Sequence, residues 1–340
     1  MRILIIKPSS LGDIIHSFPA VHSLKKSQEN LHISWVVNSQ FTGILSMLPG
    51  IDRIIPFPRK EIGSFNLKAL KAFLADLRRE SYDYALDFQG LLRSALIAKA
   101  SKSKIIAGFA NAREAAGLFY NEKIKLPSEL KHAVDKNNFL VQKLFNIAAS
   151  EIEEPVLQVK QEWLDEAKLL AGTGKGPLLT VGFSSRWESK IWSENFFAAV
   201  INELLQKRSD LTCCLIGSPG ERAAGDELCK LLPESRVINL AGKTTMETLI
   251  GLLKNSSAFL SNDSGPMHIA AALQTPCIAL FGATDPELTG PYGKDRHLVI
   301  TSKCEHSPCF KKICPFDKEK CPEGISAEET AQRILSVVSG

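Results

Sequence analysis

The chain has 340 residues, of which 44% are hydrophobic and 23% are charged, a composition that excludes disordered and fibrous proteins. This length favours two domains of ordinary size, and no apolar run is long enough to span a bilayer. The net charge of +4 is unevenly divided, with 21 Lys and Arg against 12 Asp and Glu in residues 1–150, and 20 against 25 afterwards. The first half is therefore expected to meet an anionic partner or an anionic membrane surface.

Apolar runs alternate with helical patterns from the beginning of the chain. The first run, at 2–7, is too short for the apolar core of a signal peptide, so it is interpreted as a buried strand of a cytoplasmic protein. Helices are predicted at 67–80 and 133–149. Strands are predicted at 2–7, 32–37, 53–57, 84–88 and 104–108. This alternation is typical of parallel sheets that helices cover on both faces.

The segment 150–177 contains a short helix and the run Gly-Thr-Gly-Lys-Gly-Pro, which indicates a linker. The pattern of strands then resumes at 178–183, 211–216, 236–239, 258–261 and 277–281. We therefore predict an α/β fold with two Rossmann-like doubly wound domains facing a cleft, at 1–160 and 175–325, followed by a C-terminal helix at 326–340. Ligands should bind at the carboxyl ends of the strands. No G-x-G-x-x-G follows any strand, which argues against a dinucleotide-dependent dehydrogenase.

The segment 261–286, SNDSGPMHIAAALQTPCIALFGATDP, is the most informative part of the chain. A buried strand ends in a polar turn, and a helix is predicted from Pro266 because Pro is favoured at the first helical position. An ordinary βαβ crossover is the simpler interpretation. However, Asp263, Ser264, Gly265 and His268 crowd one helix N-terminus, where backbone N–H groups bind anions. We favour a site for the diphosphate of a sugar nucleotide.

Polar residues also follow other predicted strands, and each permits two interpretations. Asp13, near the start of the first helix, is either an acid favoured by the helix dipole or a general base. Ser184, Ser185 and Lys190 suit a phosphate, but a surface loop with a solvated lysine would look the same. Glu221 is either a turn cap or a ribose ligand. Lys190 and Asp263 are both expected in polar turns outside the core.

Several motifs together point to one family. They are S-S-L-G-D-I-I-H at 9–16, D-F-Q-G-L-L-R-S at 87–94, A-R-E-A-A at 112–116, F-Y-N at 119–121 and N-D-S-G-P-M-H at 262–268. Through nearly its whole length the chain resembles the lipopolysaccharide heptosyltransferases, ADP-heptose-dependent enzymes of glycosyltransferase family 9 with the GT-B fold. Its middle segments are most similar to the heptosyltransferase I branch, which adds the first heptose to Kdo-lipid A.

The resemblance implies an inverting transfer of heptose from ADP-L-glycero-D-manno-heptose to the inner core of lipopolysaccharide, without a cofactor or metal. It implies an acceptor-binding N-terminal domain, a donor-binding C-terminal domain, and a peripheral location on the cytoplasmic face of the inner membrane. Nucleic acid is not expected as a partner. The first-heptose reaction, the second-heptose reaction and another sugar of the same family all remain open.

The resemblance also assigns roles to residues. Asp13 is the catalytic base, Lys190 contacts the donor diphosphate, Glu221 lies at the ribose and Met246 lies beside adenine. Ser184 and Ser185 stand where the family usually has Thr, and serine keeps the hydroxyl group. The acceptor, which is anionic, would meet Arg59, Lys60 and Arg113. The full donor set is Ser184, Ser185, Lys190, Glu221, Met246, Asp263, Ser264, Gly265 and His268.

Four cysteines near the C-terminus depart from the first-heptose enzymes and resemble a segment of heptosyltransferase II-like relatives. They are Cys304, Cys309, Cys314 and Cys321. Four thiolates could hold zinc, but the spacing lacks a C-x2-C pair, so a reduced structural loop is the favoured interpretation. The other cysteines, Cys213, Cys214, Cys229 and Cys277, lie in strand or helix patterns and are expected in the core.

Two functions of other classes agree less well with these residues than glycosyl transfer does. A non-catalytic sugar-nucleotide- or lipid-binding protein is disfavoured because binding alone requires no base such as Asp13. A redox enzyme that uses the cysteine cluster is disfavoured because the chain has no C-x-x-C and no flavin or nicotinamide fingerprint.

Overall fold

The computed structural model describes residues 1–172, 176–232, 235–293, 296–316 and 326–338. The chain forms two compact units, Met1–Gln158 (unit 1) and Val159–Gly340 (unit 2). Within the described ranges, no helix is both long enough and apolar enough to cross a membrane.

Unit 1 is built on a six-stranded parallel sheet. Its strands are β1 Arg2–Ile6, β2 His32–Asn38, β3 Arg53–Phe57, β4 Tyr84–Asp87, β5 Ile105–Phe109 and β6 Glu122–Ile124. Their spatial order is β3-β2-β1-β4-β5-β6, and Ile3 lies opposite both Ile33 and Tyr84. The order reverses between β1 and β4, which is where a doubly wound sheet opens a crevice for ligands. The edge strand β6 was not predicted, because its three residues form no apolar run.

Seven helices of unit 1 are described: α1 Leu11–Ile15, α2 Phe18–Ser27, α3 Thr42–Leu45, α4 Arg59–Gly63, α5 Leu67–Leu77, α6 Leu92–Ala100 and α7 Ala133–Phe145. Short 3-10 turns occur at Ser39–Phe41, Ala116–Phe119 and Ala149–Glu151. Phe73 of α5 and Ala95 of α6 belong to one apolar cluster with Ile6 of the sheet, so both helices cover the same face. Helix α7 ends earlier than predicted because Asn146 adopts a left-handed conformation, with φ of 54°.

Unit 2 contains a second six-stranded parallel sheet. Its strands are β7 Leu178–Gly182, β8 Thr212–Ile216, β9 Val237–Asn239, β10 Ala258–Asn262, β11 Cys277–Phe281 and β12 Leu298–Thr301. Their order is β12-β11-β10-β7-β8-β9, so the reversal lies between β7 and β10. Two doubly wound α/β units confirm the predicted fold class, and β12 is the second strand that the sequence analysis missed.

The helices described in unit 2 are α8 Gln161–Ala171, α9 Glu194–Lys207, α10 Arg222–Lys230, α11 Met246–Asn255, α12 Gly265–Ala272, α13 Pro286–Thr289 and α14 Ala327–Val338. Further 3-10 turns occur at Glu188–Lys190 and Pro219–Glu221. Helix α8 packs on α11 at Gly251, where a Cβ would lie 2.0 Å from the carbonyl oxygen of Trp163. Only glycine allows this approach. Helix α14 packs on α9 and buries Ala331 and Ile334.

Candidate active site

In unit 2, Asp263 is the centre of a polar network at the carboxyl edge of the sheet. Its Oδ2 accepts hydrogen bonds from Lys190 Nζ at 2.5 Å and from Thr284 Oγ1 at 2.6 Å, and its carbonyl oxygen accepts one from Ser185 Oγ at 2.8 Å. One carboxylate thus joins the segments that follow β7, β10 and β11. The expectation that Asp263 lies outside the core is wrong, because the residue is 5% exposed.

Lys190 is held on two sides. Its ammonium forms the ion pair with Asp263, and it lies 4.7 Å from the centroid of the Trp187 ring. The lysine side chain is 16% exposed, so part of its surface still reaches solvent. A cation in this position can bind a phosphate as a point charge.

Glu221 is linked to the same edge of the sheet through Ser184. The Ser184 hydroxyl donates to Oε1 of Glu221, while Oε2 accepts from the backbone N–H of Ser218 at 2.5 Å. The capping interpretation of Glu221 is therefore correct, and its carboxylate also contacts a predicted donor residue. The N–H of Gly242 donates to Gly217 O at 2.9 Å, which places the loop before α11 beside this turn, and Met246 is the first residue of α11.

Helix α12 begins where the sequence predicted a helix after a strand and a polar turn. Ser264 is its N-cap with an extended backbone, Gly265 is its first residue, and His268 is buried in its first turn. Asn262, the last residue of β10, was not among the predicted site residues. Its Nδ2 donates to Phe183 O at 2.9 Å, and its Oδ1 accepts from the N–H of Trp192 at 3.3 Å. This buried amide holds both ends of the segment that carries Lys190.

In unit 1, a pocket of about 260 Å³ lies at the reversal of the sheet order, where β1 and β4 end. Its charged and titratable lining residues are Lys7, Asp13, His16, Arg113 and Lys136. Asp13 lies in the first turn of α1, and its Oδ2 accepts hydrogen bonds from the N–H of Ser10 at 2.9 Å and from Ser10 Oγ at 2.5 Å. Asp13 thus caps α1 as an acid in its first turn, and the same carboxylate also lines the pocket.

Lys7 is a pocket residue for which the sequence analysis proposed no role. It is 6% exposed, its Nζ donates to Phe88 O at 2.9 Å, and it lies 3.8 Å from Oδ1 of Asp13. Burial lowers the pKa of Lys7, whereas the carboxylates of Asp13 and Asp87 raise this pKa and Arg113 lowers it further. Its position at the carboxyl end of the first predicted strand was the available signal.

Asp87 is a buried residue that holds the wall of the pocket in place through hydrogen bonds. This buried carboxylate accepts hydrogen bonds from Tyr120 Oη at 2.6 Å, Ser94 Oγ at 2.8 Å and the N–H groups of Gln89 and Gly90 at 2.9 and 3.0 Å. Burial raises the pKa of Asp87, and the four hydrogen bonds oppose that rise. The network joins the D-F-Q-G-L-L-R-S and F-Y-N motifs and fixes the segment 88–90, which lines the pocket.

Tyr120→Phe is expected to reduce the free energy of unfolding by about 1.5–3 kcal/mol at neutral pH, because it removes a donor to a buried carboxylate. The hydrogen bond favours ionised Asp87, so its loss raises the pKa of Asp87 further. The destabilisation should therefore be smaller at acidic pH, where Asp87 is protonated in both proteins. Denaturant unfolding at both pH values measures this.

Tyr84→Phe is a matched control, because its ring packs on Phe145 with centroids 5.1 Å apart. A loss for Tyr120→Phe that is equal at the two pH values, or no greater than that of Tyr84→Phe, would contradict the role of Asp87.

The three residues assigned to the acceptor are not in one place. Arg113 lines the pocket, and its N–H donates to Gly90 O at 2.9 Å. Arg59 and Lys60 begin α4, are exposed, and do not belong to the set of residues that line the pocket.

The cysteine cluster is described only in part. Cys304, Cys309 and Cys314 are unpaired and half-buried, and Cys321 lies outside the described residues. In the described part of the chain, no group of three or more His, Cys, Asp or Glu side chains is arranged to hold a metal ion. Burial raises the pKa values of the Cys213 and Cys214 thiols to about 12, as expected for core cysteines.

Comparison with known proteins gives one consistent result. Residues 70–320, more than half of the chain, match the sequence profile of glycosyltransferase family 9 (heptosyltransferase). The chain is 30% identical to lipopolysaccharide heptosyltransferase 1 of Pseudomonas aeruginosa, over 93% of this chain and 88% of that protein. It is 29% identical to lipooligosaccharide heptosyltransferase 2 of Haemophilus influenzae, with 88% of each chain covered.

A solved structure is similar over the whole length. Escherichia coli heptosyltransferase WaaC, determined with ADP, aligns with a TM-score of 0.80 and 26% sequence identity, covering 99% of this chain and 100% of that one. The aligned region includes residues of both units.

Proposed function

The chain belongs to glycosyltransferase family 9, the heptosyltransferases, and we propose that it transfers heptose from ADP-L-glycero-D-manno-heptose to Kdo-lipid A, as heptosyltransferase I does. One observation carries this proposal: the Asp13 carboxylate lines a pocket together with the cations Lys7, Arg113 and Lys136. Cations suit an acceptor that bears Kdo carboxylates and lipid phosphates, and a carboxylate among them suits a base. A protein that only binds sugar nucleotides needs no such base.

The donor is proposed to bind unit 2. The N–H groups of the first turn of α12 and the Lys190 ammonium offer positive charge to a diphosphate. The hydroxyls of Ser184 and Ser185 offer hydrogen bonds nearby, Glu221 is proposed at the ribose and Met246 beside adenine. The similar WaaC structure was determined with ADP, which supports an adenine nucleotide donor. Asp263 is assigned here as the anchor of Lys190 and Ser185.

The proposed reaction is a single displacement with inversion. The acceptor hydroxyl oxygen attacks the anomeric carbon of the heptose while Asp13 takes the hydroxyl proton. The bond from that carbon to the ADP oxygen breaks on the opposite side. Negative charge then grows on the diphosphate, where Lys190 and the α12 N–H groups are proposed to stabilise it. Such preorganised charge accelerates the reaction because it needs no rearrangement in the transition state.

Arg113→Ala is expected to raise the KM for the acceptor far more than the KM for ADP-heptose, because only the acceptor brings carboxylates and phosphates to the unit 1 pocket. Arg113→Lys should restore binding only in part, since lysine cannot form the bidentate contact with a carboxylate. Steady-state kinetics with each substrate varied in turn measures both constants.

Arg79→Ala is the matched control, because this arginine is 74% exposed and pairs with Asp76 on α5. Equal changes in the two KM values for Arg113→Ala would remove Arg113 from the acceptor site.

The proposed function is tested by turnover of ADP-heptose with Kdo-lipid A and, separately, with the singly heptosylated lipid. Transfer to Kdo-lipid A alone supports the proposal. Transfer to the heptosylated lipid alone would assign the second-heptose reaction, which the similarity to the H. influenzae enzyme makes the second candidate. Binding of ADP-heptose without any transfer would indicate a non-catalytic binding protein. We place the reaction on the cytoplasmic face of the inner membrane, where a peripheral enzyme reaches the lipid acceptor.

A further inference from the structure

Phe65, between α4 and α5, is the most exposed large apolar residue of unit 1. Its side chain is 90% exposed, and that of Leu67, two residues later, is 68% exposed. Isolated exposed apolar residues are common on soluble proteins, but two on one turn form a small apolar projection.

The backbone makes this projection unusual. Phe65 and Asn66 donate their N–H groups to the carbonyl oxygens of Ile62 and Glu61, both at 3.1 Å, which is the hydrogen-bond pattern of a Schellman motif. Phe65 occupies the left-handed position of that motif, with φ of 59°, where glycine is strongly favoured. A bulky aromatic residue there is strained, and its exposed ring gains no packing within the described chain. The cost to folding therefore suggests a use outside the fold.

A second group of exposed apolar residues lies at the same edge of the sheet. Helices that connect parallel strands run back along the sheet, so α5 and α6 both begin at its carboxyl edge. Leu92 and Leu96 of α6 are 40% and 49% exposed, and Leu118, in the 3-10 turn that packs against α6, is 81% exposed. Leu92 follows Gly90 of the pocket wall by two residues. We call Phe65, Leu67, Leu92, Leu96 and Leu118 the apolar rim.

The charge around Phe65 and Leu67 has one predominant sign. Residues 59–75 contain Arg59, Lys60, Lys68 and Lys71 against a single acid, Glu61. All four cations are exposed. Apolar side chains with basic residues beside them match the interface of a bilayer that contains anionic lipids. The apolar side chains enter the headgroup region, while the cations remain at the surface beside the lipid phosphates.

We propose that the apolar rim and its flanking lysines dock unit 1 on an anionic lipid bilayer, beside the pocket that contains Asp13. This inference rests on the proposed function for its biological sense, since a lipid-linked acceptor would then present its polar head to the pocket from the membrane. It also gives Arg59 and Lys60, which lie away from the pocket lining, a role at lipid phosphates.

The test measures binding of the full chain to vesicles without donor or acceptor. The wild-type protein is expected to sediment with vesicles of phosphatidylglycerol and phosphatidylethanolamine, less with phosphatidylcholine, and less at high salt. Phe65→Gly combined with Leu67→Ser should weaken vesicle binding by roughly tenfold or more. The Phe65→Gly substitution should not lower the melting temperature of the protein, because glycine suits the left-handed backbone at this position. Lys68→Gln and Lys71→Gln should each weaken binding roughly fivefold.

Leu169→Ser and Lys168→Gln on α8 of unit 2 are the matched controls, since Leu169 is 79% exposed and Lys168 is exposed. They should bind vesicles as the wild type does. The proposal is overturned if the wild type does not bind anionic vesicles, or if the Phe65→Gly/Leu67→Ser variant binds them equally well. It is also overturned if that variant changes only the molar mass of the protein in solution, measured by light scattering. A lower mass would mean that the apolar rim contacts a second copy of the chain. Vesicle binding that depends on the apolar rim would support membrane docking even if no heptose transfer were found. The docking proposal and the proposed function can therefore be refuted independently.

Discussion

Asp13→Asn is expected to lower kcat by roughly 10²–10⁴-fold, the usual contribution of a positioned general base. A sugar hydroxyl is a poor nucleophile at neutral pH, and an amide cannot take its proton. The substitution preserves the shape of the side chain and an oxygen that can accept the hydrogen bonds from Ser10. Affinity for ADP-heptose, measured by calorimetry, should be nearly unchanged because the donor is proposed to bind unit 2.

Asp13 also caps α1, so the experiment must separate an effect on the helix from an effect on catalysis. A carboxylate can accept about four hydrogen bonds, so capping and proton transfer can occur in one residue. Loss of the carboxylate removes one opposite charge from buried Lys7, but that charge lies 3.8 Å from Nζ, and the lysine keeps its hydrogen bond to Phe88 O and the nearby carboxylate of Asp87. The melting temperature of Asp13→Asn should therefore change little.

Ser10→Ala is the matched control for Asp13→Asn. It removes the hydroxyl that donates to Asp13 and leaves the carboxylate in place. If Asp13 served only the helix, the two variants would have similar, nearly normal rates. Near-wild-type kcat in Asp13→Asn would falsify the assignment of the base.

Lys190→Met is expected to lower turnover by roughly 10²–10³-fold and to weaken ADP binding, because it removes a fixed cation from the proposed diphosphate site. Methionine retains much of the aliphatic stem beside Trp187. The variant also leaves the Asp263 carboxylate, whose side chain is 6% exposed, without its cation. Breaking a buried pair in this way costs about 3–5 kcal/mol of stability, so a loss of activity by itself would be ambiguous.

The double variant Lys190→Met/Asp263→Asn separates the two effects. It removes both charges of the pair, so no unpaired carboxylate remains buried, and the amide oxygen can still accept from Thr284. Its melting temperature should recover most of the loss seen in Lys190→Met, while turnover stays low. Recovery of turnover together with the melting temperature would show that Lys190 acts only on the fold.

The two-unit α/β architecture was readable from the sequence because buried parallel strands are near-continuous apolar runs. The strands at 53–57 and 277–281 were predicted with the observed bounds. The edge strand β6 was not predicted, since Glu122–Ile124 buries too little apolar surface to leave a pattern. Helix ends depended on single capping residues, such as Asn146 after α7.

The sequence by itself also predicted polar side chains at the carboxyl ends of the strands, since residues after parallel strands meet at one edge of a sheet. Asp13, Lys190 and Asp263 were identified in this way. Only the tertiary structure decided which of these residues touch. It buried Asp263 between Lys190 and Thr284, paired Asp87 with Tyr120 across 33 positions, and separated Arg59 from the pocket that Arg113 lines. Hydrogen bonds and burial depend on distance in space, and one chain pattern permits many such pairings until the sheet order and helix packing select one.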